Sequence, residues 1–354
     1  MKHCLIIELW GIGDATLMSS ALQGLIADDW KITILAKPQT CTLLQSSYPA
    51  IKGIEFDAPW TVFYGKYKLW RWPWFTIFRV LKRLRAERFD AAISIRKDPR
   101  DHFLMWLASV RRRIGFPTTW SRWFLNEPVS IHDPDAHRVE NWWELQHRVS
   151  SSAQINFPPR LVSDTALSKK FRTQFGADAK PIIILHCGAR IAVRRWPETY
   201  FRELVIRLRQ EFDFRLVLIP DPDGYGSTSQ DLADHTLSHL NLPELLAALS
   251  CATQVICNDS GPSHLADALE IPVIAFFGAA RPEWFRPFRK HNLVVIRNTC
   301  PFHPCADYCR FPEAYCLTQL TPEIAWRDIR NYLCIKSSFP LKTPLLQPVS
   351  EKEK

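Results

Sequence analysis

Three stretches of the chain combine residue types at spacings that suit chemistry on a phosphorylated ligand. The run Asn258-Asp259-Ser260-Gly261-Pro262-Ser263-His264 joins a carboxylate, a hydroxyl, a glycine that lets backbone come close to a ligand, and a proline suited to a first helical turn. It follows an apolar run at 254–257 and opens a segment with Leu265, Ala268 and Leu269 on one face. Free amides at such a helix start, with the helix dipole, make an anion site that fits a diphosphate. A capped helix with Asp259 and Ser260 as turn formers is the plainer reading of the same residues.

The second stretch, Trp10-Gly11-Ile12-Gly13-Asp14, also follows an apolar run, at 4–9, and opens a helical pattern with Ala15, Met18, Leu22, Leu25 and Ile26 on one face. Glycine turns after a first strand are where open α/β sheets place ligands, although the third glycine of a dinucleotide fingerprint is missing here. Asp14 reads either as an N-cap or as a general base close to an acceptor proton, and the residues alone leave both open. The third stretch follows the turn Cys187-Gly188-Ala189 and places Arg194 and Arg195 ahead of Trp196-Pro197. Guanidinium groups there can neutralise charge on a leaving diphosphate. A solvated pair is the alternative. A helix N-terminus disfavours cations, however, so the pair calls for a compensating anion.

These stretches need strands and helices to hold them. Short β-rich runs alternate with helical patterns: strands at 4–9, 31–36, 54–56 and 89–95, and a helix at 137–151. The pattern restarts with strands at 181–186, 216–219, 254–257 and 272–277, and helices at 197–212, 242–251, 262–269 and 322–332. Alternation of this kind means parallel strands with crossover helices. A chain of 354 residues suits two such domains. We expect residues 1–160 and 161–335, with the junction inside 153–180 and a disordered tail over 336–354 rich in Pro, Ser and Lys.

The formal charge of +9 points to an anionic partner without choosing among phosphate ligand, membrane and nucleic acid. No apolar run approaches the ~18–20 residues of a membrane span. Glu8, Gly11, Gly13 and Asp14 interrupt the N-terminal apolar run too early for a signal sequence, so a cytoplasmic protein is expected. Cys4, Cys41, Cys187, Cys251, Cys257 and Cys334 are scattered and read as small hydrophobes in a reducing compartment. Cys300, Cys305, Cys309 and Cys316 cluster within the segment 300–316. Only some of their gaps fit zinc spacing, so they are candidates for a structural metal without being assigned to one, beside free thiols or an occasional disulfide.

Residues 60–89 interleave Trp70, Trp72, Trp74, Phe75 and Phe78 with Lys66, Lys68, Arg71, Arg79, Lys82, Arg83, Arg85 and Arg88. That composition suits the headgroup region of an anionic bilayer. It equally describes a helix that buries its aromatics and solvates its charges. Single-stranded nucleic acid is the weakest option, given the enzyme-like α/β pattern, and no nucleic-acid partner is expected.

Taken together and in this order, the three stretches resemble bacterial glycosyltransferase family 9, the ADP-heptose:lipopolysaccharide heptosyltransferases. The resemblance covers most of the chain: residues 6–21, 89–115 with its Arg112-Arg113-Ile114-Gly115 ending, 186–201 and 242–278. It implies a GT-B fold, two Rossmann-like doubly wound α/β domains facing a central cleft, the first for the acceptor and the second for the donor. It also implies inverting, metal-independent transfer with no required cofactor. The donor would be a nucleotide-sugar, ADP-heptose by resemblance. The acceptor would be a lipid-linked saccharide of the lipopolysaccharide core, reached at the cytoplasmic face of the inner membrane. Carried over by position, Asp14 matches the general base, with Gly11 and Gly13 on the acceptor side. Gly188, Arg194, Arg195, Asp259, Ser260, Gly261 and His264 fall on the donor side. Two features depart from the family pattern. Arg194 stands where a lysine is common, and Pro220-Asp221-Pro222-Asp223-Gly224 replaces a glycine-rich turn followed by a glutamate near the nucleoside. A catalytically silent nucleotide- or glycan-binding module and a nucleotide-sugar epimerase are the alternatives on the same fold.

Overall fold

A computed structural model describes residues 1–62, 66–150, 155–176, 180–297, 300–305, 308–336 and 339–340. The chain divides into two compact units. The first is Met1–Asp164 with Asp267–Glu270 and Glu283–Arg289; the second is Thr165–Ala266, Ile271–Pro282 and the chain from Lys290 onward.

In the first unit six strands, β1 (His3–Glu8), β2 (Lys31–Ala36), β3 (Lys52–Glu55), β4 (Ala91–Ser94), β5 (Arg112–Gly115) and β6 (Glu127–Pro128), lie in the order β3-β2-β1-β4-β5-β6. Every pairing is parallel. All six residues of β1 are buried, which is why it reads as one apolar run rather than as an alternation. Its helices are α1 (Ile12–Ala27), α2 (Pro38–Ser47), α3 (Trp74–Glu87), α4 (Pro99–Leu107) and α5 (Arg138–Val149).

The second unit repeats the design with β7 (Ile182–His186), β8 (Arg215–Leu218), β9 (His235–Thr236), β10 (Gln254–Asn258), β11 (Val273–Phe277) and β12 (Leu293–Ile296). The order β12-β11-β10-β7-β8-β9, counted from the β9 edge, is the same 3-2-1-4-5-6 order, again all parallel. The later helices are α6 (Thr165–Phe175), α7 (Glu198–Glu211), α8 (Leu242–Leu249), α9 (Gly261–Ala268), α10 (Pro282–Phe285), α11 (Tyr315–Thr318) and α12 (Pro322–Lys336). The α/β doubly wound architecture is the one expected. Its strand order reverses between β1 and β4 and again between β7 and β10, and open sheets of this kind bind ligands beyond the strand ends at such points.

Three local expectations are corrected. Asp14 is not an N-cap: Gly11 holds that position, and Asp14 lies inside the first turn of α1. The stretch expected to join the domains contains a helix, α6, anchored by buried Phe171 and Phe175. The tail does not begin at residue 336. Lys336 still belongs to α12, Phe339 is buried and faces Phe212 edge-on, and the Pro340 carbonyl accepts from the Asp213 amide at 2.9 Å. Residues 341–354 lie outside the described residues.

Residues 74–87 do form a helix, yet its aromatics do not turn inward. The buried face of α3 is Ile77, Val80, Leu81 and Leu84. Phe75 is 80% exposed and Phe78 64%. Among the described residues no helix is long and apolar enough to cross a membrane.

Candidate active site

In the second unit the loops at the ends of β7 and β10 are tied together by one buried amide. Asn258, the last residue of β10, accepts from the Trp196 amide through Oδ1 at 2.9 Å and donates through Nδ2 to the Cys187 carbonyl at 2.5 Å. Both loops that follow β7 and β10 are thereby held in one register. Trp196 completes the anchor. Fully buried, it stacks on Phe276 at 4.1 Å and donates its indole N–H to the Leu320 carbonyl at 2.7 Å.

On this base Arg194 Nη1 lies 3.2 Å from Asp259 Oδ2. Asp259 is almost fully buried, and its amide donates to the Phe276 carbonyl at 2.9 Å, so the carboxylate is fixed at the head of the loop. The Ser260 carbonyl accepts from the Ser263 amide at 3.1 Å and the Ser263 hydroxyl at 2.7 Å, closing the turn. Gly261 opens α9, Pro262 follows in its first turn, and His264 is buried one residue beyond Ser263. A guanidinium, a turn of small residues and a helix start thus meet at the switch point of this sheet.

Arg195 is placed differently from its neighbour. It contacts Asp221 at 2.5 Å and Asp223 at 2.6 Å, donates through Nε to the Ala189 carbonyl at 2.7 Å, and lies over the Tyr225 ring at 4.8 Å. The anion that the arginine pair requires is therefore supplied from within: Asp259 faces Arg194, and the Asp221–Asp223 turn clasps Arg195. Gly188 belongs to this clasp, because a Cβ there would come within 2.4 Å of the Asp221 carboxyl carbon. The Tyr225 backbone amide and Arg195 hold the Asp223 carboxyl below its usual range. The turn that departs from the family pattern is thus the partner of the basic segment.

In the first unit Asp14 lies close to a second carboxyl. Glu8 ends β1, is 1% exposed, and accepts from the Trp10 amide at 2.8 Å. Burial, then the charge of Asp14, pushes its carboxyl up to about 8 against the pull of Arg96 and Arg138. Arg138, at the start of α5, interacts electrostatically with both acids, and burial lowers its own pKa. It lies over the Trp10 ring at 4.9 Å and over Phe285 at 5.0 Å, while Arg96 lies 5.4 Å from the same indole. Arg96 in turn pairs with Asp98 at 3.0 Å and Asp101 at 3.2 Å. Arg138 thus acts on both carboxyls, and Arg96 adds its charge on the Glu8 side. Gly11 has open space where a Cβ would stand, so its side of the loop is free of packing. Gly13 follows in the first turn of α1. Glu8, Arg96 and Arg138 were not among the site residues expected from sequence. The one local signal was a glutamate closing an otherwise apolar strand.

The four clustered cysteines draw together. Burial, then the neighbouring Cys305, pushes the Cys316 thiol up to about 11, with Cys300 and Cys309 adding to the shift. His303 is hydrogen-bonded to the Ala280 carbonyl at 3.2 Å. Among the described residues no group of three or more His, Cys, Asp or Glu side chains is arranged to hold a metal ion. Of the scattered cysteines, Cys334 is exposed and the other five are buried.

Two six-stranded units of one strand order, each with polar loops at its switch point, define a GT-B architecture, and solved structures agree. The structure of Escherichia coli ADP-heptose lipopolysaccharide heptosyltransferase II superposes with a TM-score of 0.73 at 20% identity, covering 95% of this chain and 99% of that one. E. coli heptosyltransferase WaaC, solved with ADP-2-deoxy-2-fluoro heptose, gives 0.68 at 22% identity over 93% and 99%. Among curated relatives, lipooligosaccharide heptosyltransferase 2 of Haemophilus influenzae is 24% identical over 83% of this chain and 88% of its own length. The model of glycosyltransferase family 9 (heptosyltransferase) matches residues 77–314. The chain belongs to that family and is a glycosyltransferase.

Proposed function

We propose that the protein transfers a heptose from ADP-heptose to a hydroxyl of a lipopolysaccharide core acceptor, with inversion at the anomeric carbon and without a metal. The observation that carries this reading is the Arg194–Asp259 pair at the start of α9, seated on loops that Asn258 locks together. A diphosphate entering there exchanges the Asp259 carboxylate for its own oxygens on Arg194, and the α9 start adds its dipole. Gly188 and Arg195 shape the wall of the donor site through the Asp221 clasp, and Ser260, Gly261 and His264 line the turn. Asp14 removes the acceptor proton as the acceptor oxygen bonds to the anomeric carbon; the bond to the diphosphate breaks, and both electrons leave with ADP. Glu8 retains its proton near neutral pH, so it does not compete with Asp14 for the acceptor proton, and Arg138 interacts with both acids. Gly11 and Gly13 leave room on the acceptor side.

The acceptor is lipid-linked in this reading, and the exposed aromatic and basic face of α3 supports peripheral contact with the anionic cytoplasmic face of the inner membrane. Calorimetric titration with ADP, GDP and UDP tests the donor half. Binding of ADP at least tenfold tighter than the other two is expected. A UDP or GDP preference moves the donor to another sugar nucleotide, and no binding of any of the three sinks the site.

A further inference from the structure

One cavity lies away from the site described above. It has a volume of about 380 Å³ and is lined by Arg85, Trp106, Leu107, Ser109, Val110 and Arg113, where the end of α3 meets the end of α4 and the start of β5. Two of its six lining residues are guanidinium groups, and none is acidic. Arg85 Nε donates to the Leu107 carbonyl at 2.6 Å, and Arg113 donates to the Phe124 and Val110 carbonyls at 2.7 Å each. Neither forms an ion pair with a carboxylate among the described residues, whereas Arg96, Arg100, Arg112, Arg194 and Arg195 all do. Two positive charges brought to one hollow and left without a counter-charge are the footprint of an anion-binding pocket.

The surroundings indicate where that anion comes from. Trp74, Phe78, Lys82 and Arg85 follow one another at helical spacing on the exposed face of α3. On the other side Trp106 is half exposed, and its ring and that of Phe103 pack on Phe124 at 6.1 and 5.0 Å. Just before Phe124, Trp120 and Trp123 stand 80% and 84% exposed around the exposed Arg122. Indoles held in water beside unpaired cations match the interfacial zone of a bilayer, where apolar rings enter among the headgroups and guanidiniums meet phosphates.

We propose that this cavity is a binding site for the phosphate of an anionic phospholipid, with Arg85 and Arg113 as its ligands and Trp106 as its wall. The inference rests on the peripheral membrane contact proposed above and extends that surface from α3 to the Trp120–Trp123 turn.

The test measures sedimentation of the full chain with vesicles of phosphatidylcholine alone and with 30 mol% phosphatidylglycerol. It compares wild type, Arg85→Gln/Arg113→Gln, and a control pair, Arg79→Gln/Lys82→Gln, which removes the same charge from the exposed face of α3 outside the cavity. Loss of one delocalised surface charge lowers partition about fivefold. The cavity pair is expected to fall at least ~10-fold further than the control pair on phosphatidylglycerol vesicles. Arg113 also ties down two carbonyls, so Arg85→Glu at the exposed partner provides a variant that spares the fold, and it should lose binding in the same way. Equal losses from the cavity and control pairs overturn the pocket and leave the membrane contact standing. No wild-type binding to anionic vesicles overturns both. A cavity-dependent shift of water-soluble glycerophosphoglycerol in phosphorus NMR, without vesicle binding, overturns the lipid as the occupant.

Discussion

Replacing Asn258 by alanine isolates the element on which the donor loops depend. The wild-type side chain is fully buried and satisfies two main-chain groups from another loop, the Trp196 N–H and the Cys187 carbonyl. Truncation leaves both without a partner in a site that water does not reach. Each such group costs roughly 1–3 kcal/mol, so the variant should lose about 2–6 kcal/mol of stability in the second unit. For a unit of this size that is a fall in melting temperature of roughly 5–20 °C. Calorimetry gives the size of the loss, and hydrogen exchange locates it, since the Trp196 amide should lose its protection. Asn258→Asp refines the test. Its carboxylate still accepts from Trp196 but opposes the Cys187 carbonyl, so its pKa in the fold rises above that of the unfolded chain. Stability is then lost as pH rises, and the deficit should be larger at pH 8 than at pH 5. A melting temperature within ~1 °C of wild type for Asn258→Ala, with Trp196 still protected, would show that Asn258 does not hold the two loops together.

Glu8→Gln should stabilise the protein increasingly with pH. Burial holds the Glu8 proton up to about 8 in the fold, well above the range in which an unfolded chain releases it, so wild-type stability falls as pH rises through that window and thermal melts of the two proteins should diverge between pH 5 and 8. Gly188→Ala forces a Cβ into the Asp221 carboxyl and should cost ~1–3 kcal/mol in a denaturant melt, whereas Gly11→Ala, with open space at its Cβ, should melt within ~0.5 kcal/mol of wild type. Arg194→Gln should weaken ADP binding by about 10-fold or more in a calorimetric titration, since one charge-assisted contact is worth roughly 1.5–3 kcal/mol, and Arg194→Lys should recover part of it.

What the sequence made legible follows strand ends. Runs such as 4–9 and 254–257 are apolar because their strands are buried, and each hands over to a glycine-bearing turn, so the turns that carry Asp14 and Asp259–His264 are legible as strand-end loops. Contacts across long separations could not. Arg138 acts on Glu8 and Asp14 from more than a hundred residues away, and nothing near position 138 marks it. Asp221 and Asp223 read as a turn, and their role as a clasp on Arg195 depends on β7 and β8 being neighbours. The arginine pair needs an anion at its helix start, and the protein supplies it from Asp259, Asp221 and Asp223. Edge strands escaped for another reason: β6 and β9 are two residues long, too short for any period to register. The rings of α3 leave two readings open in the sequence, and the helix buries Ile77, Val80, Leu81 and Leu84 while Phe75 and Phe78 stay exposed.

In the proposed reaction Asp14 is the base of a sugar transfer whose donor is held by other residues. Asp14→Asn keeps the shape of the side chain and removes its basicity. Single-turnover transfer from ADP-heptose to a lipopolysaccharide core acceptor, measured beside the ADP dissociation constant of the same variant, separates the two functions. The expected result is a rate lower by ~100-fold or more with ADP affinity within about twofold of wild type. A near wild-type rate, or a loss of ADP binding that accounts for the whole defect, would contradict it.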